Sequence, residues 1–82
     1  MAAGLQPLTS LAPGATAVVA EINVSAHGRP RLMEMGILVG TTVEFVRVAP
    51  LGDPIEIKVR GYHLTIRRQE AEQILVRTGT AS

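Results

Sequence analysis

Cysteine is absent from the 82 residues. That excludes a disulfide framework and every thiolate metal site, and it fits a reducing, cytoplasmic setting. Aromatic residues make up only 2% of the chain, one Tyr and one Phe, against 46% hydrophobic residues overall, so a core has to be built from Val, Ile, Leu, Met and Ala. Charge of one sign is missing as well. Eight basic and seven acidic side chains are interspersed to a net charge of +1, which leaves little long-range field for a polyanion. With neither stacking rings nor a basic groove, a nucleic-acid partner is not expected. No run approaches the ~20 apolar residues that span a bilayer, and the first residues carry no basic and apolar leader pattern. A soluble chain without direct membrane insertion is expected. Eighty-two residues suffice for one small domain, read as 1–82 with its core at about 7–77 and frayed tails at 1–4 and 78–82.

The most organised stretch runs from Pro54 to Ile66. Ile55, Ile57 and Val59 alternate with Glu56, Lys58 and Arg60, the period-two pattern of a half-buried strand. A two-residue turn at Arg60-Gly61 would pair Val59 with Tyr62, Ile57 with Leu64 and Ile55 with Ile66, putting the apolar residues of both strands on one face. Slipping by one residue would turn Leu64 and Ile66 to solvent, so burial itself selects this register. Gly61 suits a turn position of positive φ.

Around this hairpin the other elements are shorter. Leu8 and Leu11 predict one turn of helix that plugs a barrel end before Pro13-Gly14 breaks it. Thr16 to Val24 alternates as a strand, with Val18, Ala20, Ile22 and Val24 sharing one face. Pro30 at a first helical position predicts a short helix through Met35, closed by Gly36, with Ile37 packing back on Leu32 or Met33. Thr42 to Val48 reads as a strand in which Val43 and Phe45 compete with Val46 and Val48 for the inward face, as in a central strand covered on both sides. A polar helix over 67–73 with Ala71 inward and a last strand from Ile74 to Arg77 complete the chain. Five short strands with brief helices at two corners predict a mainly β fold, a small five-stranded barrel.

No constellation supports catalysis. Neither Ser10 nor Ser25 has a nucleophile setting, and the glycines at 36, 40, 52 and 61 stand alone at turns instead of forming a phosphate cradle. His27, His63 and Glu34 are the candidate metal ligands. His63 falls outward beside Lys58 and His27 lies in a separate loop, so no intrinsic metal site or cofactor is expected. Arg60 with Arg67 and Arg68 fits either a phosphate-facing cluster or a solvated face. Met33 and Met35 fit either the core or an adaptable binding surface, and the spacing turns one away from the other. Leu51, in Pro50-Leu-Gly-Asp-Pro54, has no periodic reason to be apolar. A partner surface is expected to include Leu51, Tyr62 and one of Met33 and Met35, with Arg60 or Arg67 at its rim; Tyr62 would cover a barrel end with its ring.

In order, Leu8-Thr-Ser-Leu11-Ala-Pro-Gly14, Arg31-Leu-Met-Glu-Met-Gly-Ile37 with Gly40, Ala49-Pro-Leu-Gly-Asp-Pro-Ile-Glu-Ile-Lys-Val-Arg-Gly61 and Ile66-Arg-Arg-Gln-Glu-Ala71 with Ile74 resemble the ferrous iron transport protein A family. The resemblance covers about residues 7–77. Val39 stands where the family often has proline, and Met33 and Met35 where it often has leucine. What the resemblance implies is an SH3-like barrel and a non-enzymatic cytosolic accessory protein of ferrous iron uptake. Its partner would be the ferrous iron transporter B, a membrane protein with a cytosolic GTPase domain, which would recruit it to the inner face of the membrane. A similar domain ends the metal-dependent repressors of the diphtheria-toxin type, which makes a stand-alone peptide-binding module the alternative. Whether the chain forms a homo-oligomer is open at this level.

Overall fold

The computed structural model describes residues 4–78. Six antiparallel strands form one sheet: β1 (Gln6–Pro7), β2 (Thr16–Ile22), β3 (Thr42–Val48), β4 (Ile55–Val59), β5 (Tyr62–Ile66) and β6 (Ile74–Thr78), in the order β1-β6-β2-β3-β4-β5. Two short helices, α1 (Arg29–Glu34) and α2 (Arg68–Ala71), sit at the corners, and a 3-10 turn spans Leu8–Ser10. The architecture is a small SH3-like barrel around one core. The five expected strands are all present; β1, two residues paired with Val76 and Leu75 of β6, is an addition too short to leave a periodic trace.

The hairpin holds the expected register, Val59 opposite Tyr62, Ile57 opposite Leu64 and Ile55 opposite Ile66. Both turn residues have positive φ, 54° at Arg60 and 85° at Gly61, so the turn has the backbone sense that matches strand twist and Arg60 bears a left-handed conformation as well as the glycine. Ile55, Ile57, Val59 and Ile66 are buried and Leu64 packs partly against them. Tyr62 departs from the expected cap: it is 73% exposed, standing past the end of the core beside the turn.

Two bulges settle what the alternation left open. In β2, Ala17 and Val19 face inward, and a register shift between Val19 and Glu21 then changes the phase so that Ile22 and Val24 turn toward the core. The single face read through Val18, Ala20, Ile22 and Val24 is therefore corrected, and the strand ends at Ile22. In β3, Val43 and Phe45 are the buried pair; the shift between Phe45 and Arg47 turns Arg47 outward opposite Glu56 and sets Val48 opposite buried Ile55 at the strand's end, where it stays 40% exposed. An inserted residue leaves one strand longer than its partner by one and bends it, which helps a sheet wrap on itself. β3 lies between β2 and β4, as expected of a central strand.

The helix ends follow local chemistry. Arg29 opens α1 one residue earlier than expected, with Pro30 in the first turn where a missing N–H costs nothing. At the other end Gly36 (φ 95°) donates to the carbonyl of Met33 at 3.0 Å and Ile37 donates to that of Leu32 at 3.0 Å. This pair of bonds satisfies two end carbonyls and stacks Ile37 on Leu32, both fully buried. α2 is shorter than the seven residues 67–73 expected, with its Ala71 and the following Ile74 fully buried. Leu8 and Leu11 are buried, the plug foreseen from their spacing. Of the tails, 1–3 and 79–82 lie outside the described residues; Gly4 has no regular structure, and Thr78 belongs to β6, opposite Ala17.

Candidate functional site

The residues singled out from the sequence sort to the two ends of the hairpin and to α1. Leu51 is 96% exposed at the apex of the loop between β3 and β4. That loop is pre-ordered. Gly52 N–H donates to Ala49 O at 2.8 Å across Pro50 and Leu51, Ala49 N–H donates to Pro54 O at 3.0 Å, and Arg68 N–H donates to Asp53 Oδ1 at 3.0 Å, tying the loop to α2. Proline at the second turn position fixes φ near the value the turn needs. Exposed Arg67, between β5 and α2, lies at this same end.

Arg60 and Tyr62 stand at the opposite end. β4 separates them from Leu51 by five residues, on the order of 17 Å at the strand rise. Between the ends runs α1. Its first turn meets α2 through the ion pair of Arg31 with Glu70, and Gly36, just past its last turn, comes to Val59. Met33 is the exposed member of the methionine pair, at 48%, and with Val24, Ala26, Arg29, Pro30 and Glu34 it lines a shallow apolar depression of about 540 Å³. Met35 packs partly on the core. Val48, 40% exposed, was not singled out; the bulge sets it opposite Ile55 at the very end of β3, where the core no longer covers it.

Charge on this surface is largely paired. Glu56, on the outer face of β4, lies 2.9 Å from Arg47 Nε and 2.9 Å from His63 Nδ1, and these hydrogen bonds, Arg47 first, hold its carboxyl below the usual range. Glu70 is lowered first by its bond from Arg31 and also by the N–H of Arg67 at 3.2 Å. Arg60 and Arg67 have no ion-pair partner among the described residues. His63 is thus tied to Glu56, and His27 lies exposed in the loop before α1. Among the described residues no three His, Asp or Glu side chains converge as metal ligands would.

The lowered carboxyls make a stability prediction. A folded value below the unfolded one stabilises the fold fully above the unfolded value, near 4.5 for Glu70, and that contribution is lost as pH falls through the folded value. Urea unfolding from pH 6 to 2 should therefore show a smaller acid loss in Glu70→Gln than in the wild type, by roughly 0.2–1 kcal/mol, the range of ion pairs open to solvent. Equal acid losses would remove Glu70 from the linkage.

Fold and surface together define a small SH3-like β-barrel whose unpaired features are apolar tips and arginines. The profile of the FeoA domain matches residues 6–78, and the chain belongs to that family. It is 39% identical to the FeoA protein from Chlorobium tepidum, whose solution structure superposes with a TM-score of 0.87 over 94% of this chain and 73% of that one. A FeoA-like protein from Clostridium acetobutylicum gives 33% identity and a TM-score of 0.83 over 100% and 94%. An Fe(2+) transport protein A/Fe(2+) transporter FeoB fusion protein of Porphyromonas gingivalis is 35% identical over 69 residues, 84% of this chain but 8% of the fusion. T. acidophilum IdeR, at 22% identity and a TM-score of 0.83, shares the fold.

Proposed function

We propose that this chain is a non-enzymatic adaptor of ferrous iron uptake that docks on a FeoB-type transporter, working in the cytoplasm at the inner face of the membrane. One observation carries this reading: in the Porphyromonas gingivalis protein a segment 35% identical to this chain is fused to the transporter. Tethering gives an intramolecular partner an effective concentration in the ~mM range, so a contact useful in the fusion can be weak between separate chains. The features available for contact suit such a role. Leu51 is held out on a braced loop and loses little freedom on binding, while Tyr62 and Met33 supply further apolar area rimmed by Arg60 and Arg67. No helix among the described residues is long and apolar enough to cross a membrane; in this reading docking on the transporter brings the chain to the membrane.

The test is retention on membranes. Tagged chain incubated with vesicles that contain the FeoB transporter of the same organism should be retained, and vesicles lacking it should retain none. Deletion of the chain should lower ferrous iron uptake in cells. Absence of retention together with unchanged uptake would end the proposal.

A further inference from the structure

Of the two sheet edges, β1 is two residues long and ends in proline, which makes it a poor template for another strand. β5 is different: five residues, free of proline, and the last strand in the sheet order. Across a two-residue turn the flanking pair Val59 and Tyr62 exchange both hydrogen bonds, and the pattern repeats at every second pair, Ile57 with Leu64 and Ile55 with Ile66. His63 and Thr65 therefore aim their N–H and C=O groups away from β4. Both residues are exposed, and among the described residues no backbone hydrogen bond engages these outward groups.

We infer that β5 is a docking edge for an extended, acidic segment of a partner protein, added to the sheet as a strand. The inference rests on the adaptor reading above and names the chemistry of the segment held. Charge decides the occupant. Arg60 stands at one end of β5 and Arg67 at the other, neither in a salt bridge among the described residues; Glu56 is engaged by Arg47 and His63, and Glu70, which faces Arg67 and accepts its N–H, is bonded to Arg31. A second copy pairing antiparallel through the same edge would bring Arg60 toward Arg67 of its partner, a like-charge approach that opposes self-pairing. Carboxylates near both ends of an incoming strand meet the two arginines instead. Main-chain bonds to His63 and Thr65 would hold that strand, and half-buried Leu64 offers an apolar neighbour to its middle.

Two ten-residue peptides of alternating Val and Thr serve as probes, one ended by Asp pairs and the other by Lys pairs. The Asp peptide should bind at least about tenfold more tightly than the Lys peptide, and Arg60→Glu/Arg67→Glu should invert that preference. Amide exchange at His63 and Thr65 should slow when the Asp peptide binds. Thr65→Pro removes an outward N–H that β4 does not use, a change tolerated on an edge, and should abolish binding, whereas Thr65→Val should keep it. Binding indifferent to peptide charge, no binding of either peptide, or protection at His63 and Thr65 that rises with protein concentration alone would each overturn the edge proposal. Retention on transporter-containing vesicles separates the two readings. If it persists while the peptides fail, the edge proposal falls and the adaptor stands; if the Asp peptide binds but retention is absent, the adaptor falls.

Discussion

Replacing Phe45 by alanine is expected to destabilise the fold by about 3–5 kcal/mol, the usual cost of deleting a buried ring. Phe45 is the largest fully enclosed side chain, 2% exposed, and stands directly opposite Ile57 in the β3–β4 ladder. Its loss cannot be repaired by neighbours of similar size, because the remaining core is aliphatic. Domains of this length have total stabilities of roughly 4–12 kcal/mol, so the variant should be unfolded in a large fraction of molecules or melt far below the wild type. Val46→Ala, one residue on and on the bulge, should cost less than about 1.5 kcal/mol, since its side chain is only half-buried. Urea midpoints of the two variants measure the contrast. Equal losses would mean that the inward face of β3 has been assigned to the wrong residues.

That contrast also marks how far the sequence could be read. Pro54 to Ile66 is legible because two alternating runs and a turn agree on one register, and a slip would expose Leu64 and Ile66. The closing of α1 was legible for a similar reason: Gly36 and Ile37 occupy the two positions a left-handed helix end needs. In β2 and β3 the alternation misleads, because the bulges after Val19 and Phe45 each insert a residue that belongs to neither face. Nothing in composition marks such an insertion; it is fixed by the strand opposite. The residues proposed for docking divide in the same way. Leu51 was recognisable as an apolar residue without a periodic reason to be so, and it is the most exposed large hydrophobic of the described residues. That Arg60 and Tyr62 stand a strand's length from Leu51 and Arg67 is a matter of geometry, visible only once β4 is placed between them.

Leu51→Ser should leave the fold intact and cut the partner function at least about tenfold. The side chain is 96% exposed, so its removal from water contributes almost nothing to folding, and the melting temperature should stay within about 4 °C of the wild type, as for surface changes within ±0.5 kcal/mol. The loop should keep its shape, because the bonds from Gly52 to Ala49, from Ala49 to Pro54 and from Arg68 to Asp53 do not involve the leucine side chain. At an interface the balance reverses. A braced apolar tip is suited to filling a pocket, and truncating an anchor at the centre of an interface costs about 2 kcal/mol or more of binding where it is a hot spot, about thirtyfold in affinity. Retention on transporter-containing vesicles and ferrous iron uptake in cells should therefore both fall by at least about tenfold, with Val48→Ser at the adjacent exposed end of β3 as the second variant. A folded Leu51→Ser protein with full retention and full uptake would remove Leu51 from the docking surface. Lost function with an unchanged melting temperature is the outcome expected of an apolar side chain that the fold holds out in water for a partner.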